Sequence, residues 1–101
     1  MNKRYLMVRV IFGGQLTQQR LMEAMITSIT KYFGEVGAAL INLRLIRFDP
    51  AKAEAVLVCE KSMMNKLLTA LTFVQEIDGF PISLLVVRVS GTIKSLLKAK
   101  K

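Results

Sequence analysis

Two apolar stripes of helical period run through this chain, and each is framed by short stretches rich in β-branched residues. The first stripe is Leu21, Met22, Met25, Ile26, Ile29 and Phe33; the second is Met63, Met64, Leu67, Leu68, Leu71 and Val74. Steps of three and four residues put each set on one helical face, which must be buried against something. The partner is supplied by the flanking stretches. Residues 4–12 (RYLMVRVIF) lead into the first stripe, 38–48 (AALINLRLIRF) and 53–60 (AEAVLVCE) separate the two, and 82–89 (ISLLVVRV) follow the second. All four read as strands.

The punctuation agrees. Gly13-Gly14 stops the first strand, Thr17 offers a helix cap, and Gly34 is placed to end a helix over 17–33 as a left-handed C′ residue. Asp49-Pro50-Ala51-Lys52 makes a turn, so the middle strands form a hairpin. Ser62 is positioned to cap the second helix, and Asp78-Gly79-Phe80-Pro81 breaks the chain after it. Gly37 reads as the start of the second strand. The order β-α-β-β-α-β, plus a short helix over 93–101, predicts an α+β fold of ferredoxin-like or RRM-like type: a two-layer sandwich in which a four-stranded antiparallel sheet carries helices on one face. At 101 residues the chain reads as one domain, 1–101, large enough to bury a modest core.

Composition excludes several chemistries. There is no histidine, and the one cysteine, Cys59, cannot form an internal disulfide. Zinc sites, Cys–His nucleophiles and histidine acid–base catalysis are therefore ruled out. The seven acids, scattered from Glu23 to Asp78, show no two-metal pattern. No apolar run approaches the roughly 20 residues of a membrane span. Lys3 and Arg4 before an apolar run mimic a signal peptide, but Arg9 interrupts it, so a cytoplasmic location and no membrane partner are expected. The net charge of +8 favours a polyanionic partner, RNA or DNA.

Strict alternation sorts the faces. Leu6, Val8, Val10 and Phe12 share one side of the first strand; Tyr5, Met7, Arg9 and Ile11 share the other. Asn42, Arg44, Ile46 and Phe48 oppose Ile41, Leu43 and Leu45. The outer sheet face then carries Met7, Arg9, Ile11, Arg44, Ile46, Val86 and Arg88. It lacks the aromatic platform on which RRM modules stack bases, because AEAVLVCE has no aromatic residue. Apolar residues studded with arginine suit a protein interface instead. Two occupants stay open: another subunit, or Ile93, Leu96 and Leu97 of the last helix folding back. The methionines read as adaptable core filler.

The sharpest local feature is the elbow Ser90-Gly91-Thr92. Gly91 allows close backbone approach, Thr92 can cap the next helix, and outward N–H groups near Thr92 and Ile93 would suit an anion. Lys94 would pair with that anion, and Lys94, Lys98 and Lys101 form a basic stripe. An ordinary capped turn with a solvated lysine tail fits the same residues.

Taken together, RYLMVRV, FGEVGAA, AEAVLVCE and above all RVSGTIKS resemble the Pop-five family of ribonuclease P protein subunits, called component two in archaea, over nearly the whole chain. The resemblance implies a role in removing the 5′ leader of precursor transfer RNA, with an RNA subunit holding the catalytic centre and its Mg2+. No cofactor is expected on this chain. Implied partners are ribonuclease P RNA, precursor tRNA, an Rpp-thirty-type subunit (component 3), other protein subunits, and a second copy within a heterotetramer. Under this reading Ser90, Gly91, Thr92, Lys94, Lys98 and Lys101 are expected to meet RNA phosphates. Arg9, Arg44 and Arg88 are a second set, for RNA or a partner, and Met7, Ile11, Ile46 and Val86 a protein interface. No catalytic or metal-ligating residue is expected. The competing functions are a free-standing RNA-binding module of the same fold and a small-ligand regulatory domain.

Overall fold

The computed structural model describes residues 2–98. Its elements are β1 (Lys3–Phe12), α1 (Gln18–Ile41), β2 (Arg44–Asp49), β3 (Glu54–Glu60), a 3-10 turn (Lys61–Met63), α2 (Met64–Thr72), β4 (Glu76–Ile77), β5 (Phe80–Ser90) and α3 (Ile93–Lys98). The strands pair antiparallel in the order β2-β3-β1-β5-β4. This is the expected ferredoxin-like α+β sandwich, with the two-residue β4 added at one end.

The faces of β1 follow its alternation. Leu6, Val8 and Val10 enter the main core with Leu21, Met25 and Ile29 of α1 and Leu67 and Leu71 of α2. Thr17 caps α1, its Oγ1 accepting the Arg20 N–H at 3.1 Å. Inside the core the Ser28 hydroxyl donates to the Ala70 carbonyl at 2.7 Å, which fixes α1 against α2. The hydroxyl is buried, so this bond also removes a polar group that would otherwise be costly.

Gly34 ends the first helical run, with φ +73 and ψ 179. The chain does not pass into a strand there, as the sequence reading has it. It makes a second helical segment over 35–41, closed by Asn42 in the left-handed conformation, whose N–H reaches the Ala38 carbonyl at 3.1 Å. Short apolar runs satisfy helix and strand periods alike, so the second strand starts only at Arg44. Gly37 accordingly lies in this helical segment. A Cβ there would stand 2.6 Å from Phe33 Cβ.

Two bulges alter the expected faces. In β2, Arg44 and Leu45 oppose Val58 and Leu57, but Arg47 and Phe48 oppose Val56 and Ala55, leaving Ile46 as the extra residue. Phe48 thereby returns to the core side. In β5, Arg88 opposes Met7 and Val86 opposes Val8, leaving Val87 extra. Val86 therefore packs with the main core and not on the outer face. One inserted residue reverses every later side chain.

Two turns also differ from expectation. Ser62 does not cap α2: the chain leaves β3 through the 3-10 turn, and no side-chain cap forms. The break at 78–81 is a tight hairpin. Asp78 and Gly79 both take positive φ, 53 and 85, as a two-residue hairpin loop requires, and Pro81 continues into β5. Arg20 braces that loop, forking onto Asp78 at 2.9 and 3.2 Å.

The last helix crosses to the other side of the sheet. Leu96 is fully buried there against Met7 and Val56, with Tyr5 and Leu97 at the margin. Burying one leucine stabilises by about 1.5–3 kcal/mol, enough to hold so short a helix in place.

Candidate nucleic-acid interface

Met7, expected in a partner interface, is only 3% exposed because Leu96 covers it. The centre of the outer face is thus closed by the chain's own helix. What stays open is its periphery. One row across the sheet reads Arg47, Val56, Met7, Arg88. Both ends of this row are bulges of the same kind, Ile46-Arg47 on one side and Val87-Arg88 on the other. A bulge bends its strand and re-aims the side chains at it. An arginine thus flanks the Leu96 lid on either side. Arg44, two rungs from Arg47 on β2, is exposed as well.

Farther along β1, Arg9 lies between Glu54 of β3 and Leu85 of β5. Ile11, Ile46, Leu85 and Val87 are about half exposed. Of the expected interface residues, Ile11 and Ile46 are therefore on open surface, whereas Met7 and Val86 are not.

At the elbow, Thr92 caps α3: its Oγ1 accepts the Ser95 N–H at 3.0 Å and its carbonyl the Leu96 N–H at 3.1 Å. The Thr92 N–H is itself turned toward Ser90 Oγ at 3.4 Å. The Thr92 N–H is thus engaged within the turn, and α3 is too short to present an anion-binding helix end, so the side chains at the elbow are the candidates for holding a phosphate. Lys94 and Lys98 are exposed one helical turn apart, while Lys101 lies outside the described residues.

Arg4, which the alternation pattern did not single out, comes up to this elbow. Its Nη1 donates to the Lys3 carbonyl at 2.9 Å and would lie 3.5 Å from a Cβ placed on Gly91. That is ordinary contact distance, so nothing in the elbow demands glycine. Arg47 escapes sequence reasoning for a different reason: without the bulge it falls on the core side. The only sequence clue to either residue is its charge.

Among the described residues, ion pairs join Lys3 to Glu60, Arg20 to Asp78 and Arg20 to Glu23. Hydrogen bonds from Lys3, then Asn42, hold the Glu60 carboxyl below its ordinary pKa, and the Arg20 fork does the same for Asp78. Burial pushes the Cys59 thiol up to about 11, which leaves it protonated and unreactive at neutral pH. Among the described residues, no three of Asp, Glu, Cys or His converge as metal ligands. No helix among them is long and apolar enough to cross a membrane.

Residues 4–100 match the model of the Rpp14/Pop5 family. Ribonuclease P protein component 2 of Pyrococcus horikoshii is 32% identical over 93 residues, covering 92% of this chain and 78% of the relative. The protein of the same name from Archaeoglobus fulgidus is 33% identical, covering 91% and 82%. The ribonuclease P/MRP protein subunit POP5 of Schizosaccharomyces pombe is 31% identical over 81 residues, with 78% of this chain and 58% of the relative covered. A chain in the cryo-EM structure of yeast ribonuclease MRP superposes with a TM-score of 0.73 over 90% of this chain and 75% of that one. At 10% identity this last likeness concerns the fold.

Proposed function

The chain belongs to the Rpp14/Pop5 family, and from that premise we propose that it is a protein subunit of ribonuclease P, acting with a catalytic RNA in maturing the 5′ end of transfer RNA. The observation that carries this is the extent of the match, residues 4–100, which takes in every element from β1 to α3. The surface chemistry supports it. The chain carries a net charge of +8, with cations at the rim of the outer face and at the elbow. Its role is to bind and support RNA and not to cut it.

RNA phosphates, on this reading, meet Arg4, Lys94 and Lys98 at the elbow and Arg44, Arg47 and Arg88 beside the Leu96 lid. On this reading magnesium serves the RNA active site of the assembly; among the described residues no three acidic side chains converge to hold it. The half-exposed apolar residues Ile11, Ile46, Leu85 and Val87 suit a protein contact, with an Rpp-thirty-type subunit, another subunit or a second copy. The complex works in the cytoplasm on precursor tRNA. The test is affinity purification of the tagged chain from its own cells. Recovery of an RNA-dependent activity that removes precursor-tRNA leaders supports the proposal. Recovery of RNA without that activity favours a free-standing RNA-binding module.

A further inference from the structure

The sheet offers no aromatic platform, but the helices build one. Tyr32 of α1 and Phe73, the residue that closes α2, stack with ring centroids 4.5 Å apart and planes 25° from parallel. Both sit at the surface, 44% and 47% exposed. An aromatic pair that served only to join two helices would gain most by being buried, yet each of these residues keeps nearly half of its surface open to water. The Lys31 ammonium lies over the Tyr32 ring, 5.5 Å from its centroid. The pair borders a hollow of about 340 Å³ whose wall includes Thr27, Gln75 and Glu76.

The platform is held rigidly. Tyr32 is one turn beyond Ser28, and Phe73 three residues beyond Ala70. The Ser28–Ala70 hydrogen bond therefore fixes the register that brings the two rings together. Lys66, seven residues before Phe73, lies on the same face of α2 and is exposed.

We propose that Tyr32 and Phe73 form a stacking site for an unpaired nucleobase. Lys31 and Lys66 neutralise the flanking phosphates, and the Gln75 amide and Glu76 carboxylate face the base edge. Exposed aromatic side chains beside cations are how proteins hold single-stranded RNA, because every base offers a π face. The site lies on the helix side of the sheet, away from the elbow and the Leu96 lid, so it would take a different segment of RNA. It rests on the reading of the chain as an RNA-binding subunit.

The test uses the full chain and a single-stranded oligo(U) ten-mer, with a duplex of equal length alongside. Phe73→Leu should weaken oligo(U) binding at least about fivefold, and Phe73→Tyr should restore it. The duplex should show no such difference. In the wild-type protein, uracil proton resonances should move upfield on binding, and the Tyr32 and Phe73 ring resonances should shift with them. This readout does not depend on any variant folding. Unchanged affinity in Phe73→Leu, a loss that Phe73→Tyr does not restore, or ring resonances unmoved by oligo(U) each overturn the proposal. If Lys94→Ala/Lys98→Ala weakens binding to ribonuclease P RNA while Phe73→Leu changes nothing, the stacking site fails and the subunit reading stands. If the chain binds neither RNA, both fail.

Discussion

Leu96 seats against Met7 across the face of the sheet opposite the main core, so one leucine of a six-residue helix closes the middle of a surface that would otherwise be open. The contact separates a covered centre from a cationic rim. It also makes the fold of the last helix a condition for that surface. Leu96→Ala should cost about 2–3 kcal/mol, toward the low end for a buried leucine because the cluster is small. Urea unfolding checks this. A cost below about 1 kcal/mol would mean that the helix is not held by Leu96.

Glycine substitutions should divide sharply. Gly34→Ala forces a side chain into φ +73, and Gly37→Ala brings a Cβ within 2.6 Å of Phe33 Cβ. Each should lower stability by about 1–2 kcal/mol. Gly91→Ala meets only Arg4 Nη1 at 3.5 Å and should stay within about 0.5 kcal/mol of wild type. Thermal melts of the three variants read this directly. A Gly91→Ala loss as large as that of Gly37→Ala would contradict the geometry of the elbow.

The Lys3–Glu60 pair should appear in the pH dependence of stability. The folded-state pKa of Glu60 lies below its ordinary 4.5, so its contribution is complete above that value and is lost as the pH falls through the lower one. Lys3→Met should therefore destabilise at pH 7 and leave stability unchanged at the acid end, where Glu60 is protonated in both proteins. Urea midpoints at pH 7 and at a pH well below the lowered folded-state pKa of Glu60 give the comparison. Equal losses at both pH values would show that the effect is packing and not charge.

How far the sequence carries is clear from particular elements. The two faces of β1 and the stripes of α1 and α2 are legible because their periods run unbroken. The bulges at Ile46-Arg47 and Val87-Arg88 are not, because apolar and basic residues there fit either phase. That ambiguity put Phe48 and Val86 on the wrong face and kept Arg47 out of the candidate site. The helical segment over 35–41 and the two-residue β4 are not legible because each is too short to impose a period. Tyr32 and Phe73 are joined only by the tertiary packing of α1 on α2, which no local pattern shows. Family motifs point to the function, and the RVSGTIKS stretch marks the elbow, but they do not show that the Thr92 N–H turns back onto Ser90.

If side chains and not helix-end amides hold phosphate at the elbow, charge removal should act through counterions. Lys94→Ala/Lys98→Ala should lower the slope of log affinity against log salt by about 1.5 for ribonuclease P RNA, and Arg4→Ala should lower it by somewhat less than 1. Thr92→Ser, which keeps the cap, should leave the slope as it is. Filter binding between 50 and 200 mM salt, a range over which such contacts are strongly attenuated, measures this. A slope unmoved by the double variant would remove the elbow from the RNA interface.

Reconstitution tests whether this chain is a ribonuclease P subunit that supports a catalytic RNA. Ribonuclease P RNA and the companion protein subunits from the same cells are assembled with and without the chain, and leader removal from precursor tRNA is timed under limiting Mg2+. Cleavage should be faster when the chain is present, and the chain without the RNA should cleave nothing. Identical rates with and without it, in an assembly shown to contain it, would contradict the claim.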